Sequence, residues 1–309
     1  MPSQTDLLIQ LEPVVETNLN RHLSQAGEWF PHEYVPWSEG RDYDGVLGGD
    51  AWEPRQSKLS DVARTALIVN LLTEDNLPSY HHEIATLFGR DGAWGTWVHR
   101  WTAEEGRHGI AIRDYLLATR AVDPVALERA RMRHMSAGYA NQHDNEVLHS
   151  IAYVSFQELA TRISHRNTGR FSEDPICEQL LARVAQDENL HMVFYRNLLA
   201  GALELTPNET MRAITDVVTT FQMPGHGIEN FGRKAVQMAV AGIYDLRIHH
   251  NDVVMPVLRN LKAFDTPGLS GDGAAARDEL AAFMATLDAN ATRFEEKRAA
   301  NRARQAARA

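Results

Sequence analysis

The sequence predicts an all-α protein folded as a single domain, and three observations carry that expectation. Apolar residues recur at helical spacing through most of the chain. No β-alternation longer than four residues occurs, and no Asn-Gly or Asp-Gly hairpin sits between such runs. No polar linker divides residues 1–309 into two halves.

The elements follow in order. Leu7, Leu8, Leu11, Val14, Val15 and Leu19 trace one face of a helix over 5–26. Residues 27–57 hold three Trp, three Pro and five Gly, which predicts an ordered loop. One long helix is expected from Ser60 to Gly89 and another from Ala93 to Arg120, the latter stopped by Asp123-Pro124. Further helices are expected over 125–138, 145–168, 174–203, 207–222, 229–247, 253–263 and 274–300. Asp91-Gly92 and Asp272-Gly273 read as turns between helices.

Composition narrows the function. Hydrophobic residues make up 44% and charged residues 23%, as in a soluble globular protein. No stretch of about 18 apolar residues is present to span a bilayer. The N-terminus lacks a basic region and a long apolar run, so a cytoplasmic protein is expected. The net charge of −10 argues against a nucleic-acid partner. Residues 293–309 depart from this balance, with six basic and two acidic side chains, and are expected to form a solvated, frayed tail. Cys177 is the one cysteine; it is expected to pack as a small hydrophobe, and it excludes an internal disulfide or an iron–sulfur cluster of the chain's own.

Two Glu-x-x-His motifs stand on long helices, Glu105 to His108 and Glu188 to His191. A spacing of three puts both side chains on one helical face, able to grip one metal ion. Taken singly the motif is weak, and a third copy, Glu146 to His149, is also present. The specific signal is a repeat. Glu74 precedes Glu105 by 31 residues and Glu158 precedes Glu188 by 30, each on the preceding helix. Two such modules bring four carboxylates and two imidazoles inward from four helices, the ligand plan of ferritin-like di-iron bundles with additional helices outside the core. Four carboxylates balance two divalent ions, and the donor set suits iron, with manganese as the substitute. Glu146 lies 12 residues before Glu158. It therefore points about 120° away and sits about 18 Å up the axis, as a residue of the surface or the helix start. Pro78 removes the N–H that would bond the Glu74 carbonyl, so the helix is expected to bend there.

Four stretches make the chain resemble a known family: Thr73–Tyr80, Trp101–Gly109, Ser155–His165 and Asp187–His191. They resemble the soluble acyl–acyl-carrier-protein desaturases, in particular the actinobacterial branch, over about Leu11 to Pro256. The resemblance implies a homodimeric di-iron enzyme that introduces a cis double bond into an acyl chain held by acyl carrier protein. It implies electrons from a ferredoxin-like donor and a role in fatty acid biosynthesis. Matched motif by motif, it makes Glu105 and Glu188 bridging ligands, Glu74 and Glu158 terminal ones, and His108 and His191 the nitrogen ligands. It places Thr161 beside the metals, and Trp29 and Asp187 on the electron route. Gly106 stands where the family more often has Asn, and Asn189, Leu190 and Met192 differ from the plant pattern, so regiochemistry does not transfer.

An apolar channel is required, with Ile68, Leu72, Trp101, Ile112 and Phe156 as candidate walls. Three rivals share parts of this pattern. A ferroxidase would not need the Trp-rich loop. A ribonucleotide reductase radical subunit would carry Tyr one turn after the first Glu-x-x-His, where Ile112 stands with Tyr115 nearby. A non-catalytic bundle binding acyl carrier protein would not keep the full ligand set.

Overall fold

The computed structural model describes residues 3–139, 143 and 146–307. Its helices are α1 (Gln4–Gln25), α2 (Asp61–Asp75), α3 (Leu77–Phe88), α4 (Gly92–Ala118), α5 (Pro124–Ala137), α6 (Val147–Phe171), α7 (Pro175–Leu205), α8 (Pro207–Thr220), α9 (Phe231–Ala241), α10 (Leu246–Ile248), α11 (Met255–Leu261) and α12 (Gly271–Ala306). Among the described residues no strand forms, as the sequence predicts; a lone bridge joins Tyr43 to Asp50. The expected helix start at residue 145, and Arg308 in the tail, lie outside the described residues.

The core is a bundle of α2, α4, α6 and α7. The last two pack along most of their length. Gly169 permits this, because a Cβ there would meet Glu178 Cα and Leu181 Cβ at 3.2 Å. α1 covers α4 and α7, while α8 and α12 close the far side of α6. Local signals start the helices: Ser60 Oγ accepts from the Ala63 N–H at 3.2 Å, and Asp174 accepts from Ile176 and Cys177. Cys177 is fully buried among Leu180, Leu181 and Tyr115, the packed hydrophobe expected.

The Trp-rich loop is ordered around a residue the sequence did not single out. Arg120 is 3% exposed, and its guanidinium spends all five N–H groups on the loop. It donates to Gln56 Oε1 and to the carbonyls of Arg41, Asp42, Asp50 and Ala51. Trp52 Nε1 donates back to the Arg120 carbonyl at 2.9 Å.

Four elements differ from expectation. The single helix over 60–89 is two, broken at Asn76 because Pro78 cannot bond the Glu74 carbonyl. Asn76 Nδ2 secures the break by donating to the Gly138 carbonyl at 3.1 Å. The helix over 229–247 stops at Gly242, whose φ of 86° is left-handed. The helix expected from 253 starts earlier, as a π-helical turn over His249–Val254. That turn precedes Pro256, which has no N–H for the Asp252 carbonyl. The basic tail is helical to Ala306 and anchored. Arg298 pairs with Asp245 at 2.6 Å and donates to the Ala239 carbonyl, and Arg302 donates to the Val240 carbonyl. Those carbonyls lie in the last turn of α9, whose C-terminal end attracts cations.

Candidate metal centre

Each of the four core helices turns part of the predicted set inward, and all six residues meet. Glu74, Glu105, His108 and Glu188 form one quartet; Glu105, Glu158, Glu188 and His191 form a second. Within each, the ligand atoms lie within 4.8 Å of one another. Glu105 and Glu188 belong to both quartets. His108 Nδ1 lies 3.5 Å from Glu74, 3.3 Å from Glu105 and 3.1 Å from Glu188. His191 Nδ1 lies 2.8 Å from Glu105 and 3.6 Å from Glu158.

The opposite ring nitrogens are held by carboxylates. His108 Nε2 is 3.4 Å from Asp187 Oδ2, and His191 Nε2 is 2.9 Å from Glu104 Oε2. A carboxylate only accepts, so each Nε2 carries a hydrogen, and a neutral ring then keeps its Nδ1 lone pair toward the quartet. Asp187 accepts from Trp29 Nε1 at 2.8 Å and from Arg107 at 3.2 Å, and it pairs with Arg183. Glu104 is shared with His22 Nε2 at 2.9 Å and paired with Arg100. Thr161 Oγ1 donates to Glu188 at 2.6 Å, and Trp101 Nε1 donates to Glu158 at 3.0 Å. His165 Nε2 lies 2.8 Å from Glu74, and Asn70 Nδ2 lies 3.3 Å from the Nδ1 of the same ring.

Burial makes this cluster costly without cations. It pushes the Glu158 carboxyl well up, and the charges of Glu188 and Glu105 add to the push. Glu105 is raised for the same first reason, with Glu188 next. Burial acts against the charge of Glu74 too, but the His108 and His165 imidazoles beside it outweigh that and hold the carboxyl well down. Burial would also lower His108 and His191; the carboxylates around them win, and both rings are raised. Glu105 Oε1, Glu158 Oε2, Glu188 Oε1 and the Nδ1 atoms of His108 and His191 are buried with no hydrogen-bond partner. Orphaned donor atoms facing one another are what a pair of divalent ions would satisfy. The residues therefore fit two metals.

A cavity of about 60 Å³, partly open to solvent, adjoins Glu74, Glu105 and Glu158 and is walled by Ile84, Trp101, Tyr139, Tyr153 and Val154. Of the expected walls only Trp101 lines it. Ile68, Leu72, Ile112 and Phe156 pack into the apolar clusters instead, because neighbouring helices cover the faces that helical spacing left ambiguous. Tyr115 is 1% exposed among Ala111, Leu116 and Cys177, about 10 Å along α4 from His108. Glu146 stands just before α6 with its carboxylate 2.7 Å from His149 Nδ1, apart from the centre as expected.

Sequence reasoning missed Glu104, His22, His165 and the bond from Trp101. A signal for Glu104 was available: an acid immediately precedes each motif Glu, in Glu104-Glu105 and Asp187-Glu188.

Comparison with known proteins agrees with these features. A sequence model described as fatty acid desaturase matches residues 3–309. A Mycobacterium tuberculosis H37Rv protein named as acyl-[acyl-carrier-protein] desaturase DesA1 is 53% identical over 296 residues, covering 94% of this chain and 87% of that protein. Stearoyl-[acyl-carrier-protein] 9-desaturase 5, chloroplastic, of Oryza sativa subsp. japonica is 31% identical over 327 residues, covering 99% and 81%. The X-ray structure of the acyl-ACP desaturase DesA2 from M. tuberculosis H37Rv superposes with a TM-score of 0.71 at 33% identity, covering 84% of this chain and 96% of that one. With two quartets at the heart of a ferritin-like helical fold, this chain belongs to the fatty acid desaturase family.

Proposed function

We propose that the protein uses two iron ions and O2 to introduce a cis double bond into a fatty acyl chain carried on acyl carrier protein, with electrons from a ferredoxin-like donor. The carrying observation is the pair of quartets sharing Glu105 and Glu188, with orphaned donor atoms beside a largely apolar cavity. Glu105 and Glu188 would bridge the ions, Glu74 with His108 would complete one site, and Glu158 with His191 the other. Manganese is the substitute the same donors accept.

When bound, the irons supply the activation of O2 and the oxidising power to remove hydrogen from two neighbouring carbons. The chain supplies the rest. Trp101, Ile84 and Val154 hold the acyl chain against Glu158 and Glu74 and keep water out. Thr161 orients Glu188, and Glu104 and Asp187 orient the two imidazoles. Trp29 and Asp187 offer a route for electrons to His108. The reading includes a homodimer, as the family resemblance implies. No helix among the described residues is long and apolar enough to cross a membrane, which fits work in the cytoplasm.

The test is mass spectrometry of acyl carrier protein pools after incubation with Fe(II)-loaded protein, a reductase–ferredoxin pair and O2. A product two mass units lighter is expected; unchanged acyl chains from protein that holds both metals would sink the reading.

A further inference from the structure

We propose that Tyr80, Tyr139 and Tyr153 form a relay that carries oxidising equivalents from the metal centre to the protein surface when O2 is consumed with no acyl chain in the cavity. This rests on the reading above that the centre activates O2.

Three separate elements bring one tyrosine each to the same wall. Tyr80 comes from α3, Tyr139 from the turn after α5 and Tyr153 from α6, and all three line the cavity together with Glu74, Glu105 and Glu158. The Tyr80 and Tyr139 rings meet edge to face with centres 5.1 Å apart, and Tyr139 lies 6.5 Å from Tyr153. The far end reaches the surface: Tyr153 is half-buried, and its hydroxyl donates to the carbonyl of exposed Gln222 at 3.0 Å. Holding an acyl chain does not call for these hydroxyls. Phenylalanine would make the same apolar wall, and the Tyr80 hydroxyl is buried with no hydrogen-bond partner, an arrangement that costs stability. What a phenol offers and a phenyl ring lacks is an electron and a proton that can be given up and taken back.

Reducing O2 to two waters takes four electrons and four protons. In a productive turnover the donor and solvent supply two of each, and the acyl chain supplies two hydrogens with their electrons. With the cavity empty, that second share must come from the protein. Trp101 is the side chain at risk, since its indole lines the cavity and bonds Glu158 at 3.0 Å, and an oxidised indole is not repaired. The relay gives way first. Tyr80 loses one electron, and its proton passes to water in the cavity, which is partly open to solvent. Tyr139 refills Tyr80, Tyr153 refills Tyr139, and a soluble thiol at the surface returns an electron and a proton to Tyr153. Two such passages convert two thiols to one disulfide and complete the two waters. A bound acyl chain fills the cavity and excludes that water, so the phenol has nowhere to send its proton and the oxidising power goes to the C–H bonds.

The test uses the full Fe(II)-loaded chain mixed with O2 in the absence of acyl carrier protein, with dithiothreitol as the soluble thiol. Three quantities are measured: O2 consumed, oxidation of Trp101 by peptide mass spectrometry, and the radical signal in freeze-quenched samples made with ordinary or ring-deuterated tyrosine. The unaltered protein should show a tyrosyl signal that deuteration narrows. Tyr139→Phe, which keeps the ring and removes the phenol, should raise Trp101 oxidation per O2 several-fold. Tyr80→Phe should do the same and abolish the radical signal. Tyr195→Phe should leave the ratio unaltered, because that buried tyrosine lies against Trp97 and does not line the cavity. Unchanged Trp101 oxidation in either relay variant overturns the proposal. So does the lack of a deuterium-sensitive signal, or an equal rise in Tyr195→Phe, which would show general loosening of the core. Product formation from stearoyl-acyl carrier protein judges the desaturase reading separately. O2 uptake without product defeats that reading and leaves the Trp101 ratio to decide the relay, while absence of O2 uptake overturns both.

Discussion

Glu104 of α4 and His191 of α7 meet at 2.9 Å, and the relationship is mirrored by Asp187 of α7 and His108 of α4 at 3.4 Å. Each module's extra acid steadies the other module's imidazole. The mirror breaks one layer out, where Trp29 and two arginines stand behind Asp187 but His22 and Arg100 stand behind Glu104. Replacing Glu104 by Gln should keep the fold and cost about 10- to 100-fold in metal affinity. Competitive Fe(II) or Mn(II) titration would show it, and unaltered affinity would remove the role assigned to Glu104.

The shared carboxylates should matter most. Metal analysis of Fe(II)-loaded protein should approach about two ions per chain, and Glu105→Ala/Glu188→Ala should lose both, since each quartet then lacks two donors. Retention of both ions in the double variant contradicts the bridging assignment.

Arg120 should prove a stability residue. Removing it takes away the charged donor of four loop carbonyls and of Gln56. Arg120→Ala should cost about 3 kcal/mol or more, each hydrogen bond to a charged group being worth roughly 1.5–3 kcal/mol. Denaturant melts measure this, and a loss below about 1 kcal/mol would show the loop is held by other contacts.

Cys177 should be inert in the folded state. Burial pushes its thiol up to about 12, so almost no thiolate exists at neutral pH. Iodoacetamide should label denatured but not native protein, and Cys177→Ser should leave donor-dependent turnover intact. Rapid labelling of native protein would contradict the packing.

His249 predicts an acid-side loss of stability. Burial, with His250 adding to it, lowers the ring from 6.5 to about 4, and Tyr244 bonds its Nδ1 at 2.9 Å. The native state keeps the ring neutral, while the unfolded chain protonates it below about pH 6.5. Stability from this group is therefore present above that value and lost as pH falls toward 4, amounting to about 2 kcal/mol between pH 7.5 and 5. His249→Phe should lose less over that window in urea melts; identical slopes for both proteins would exclude His249 as the source.

By itself the sequence determined most of the helices and the six residues that gather. All of these follow from local periodicity, from capping residues and from a spacing of three on one helix. Even the break beside Glu74 was signalled by Pro78, although its form, two helices in place of one bent helix, depended on Asn76 finding the Gly138 carbonyl. The tertiary structure decided what stands behind the ligands. His22 reaches Glu104 across 82 residues, His165 reaches Glu74 across 91, and Trp29 reaches Asp187 across 158. It also decided which apolar faces line the cavity and that Arg298 holds the basic tail to the end of α9. The physical reason is one of range. Hydrogen bonding and side-chain period within a helix are set by neighbours three or four residues away, whereas contacts between helices depend on how close two backbones come and at what rotation, as Gly169 does for α6 and α7.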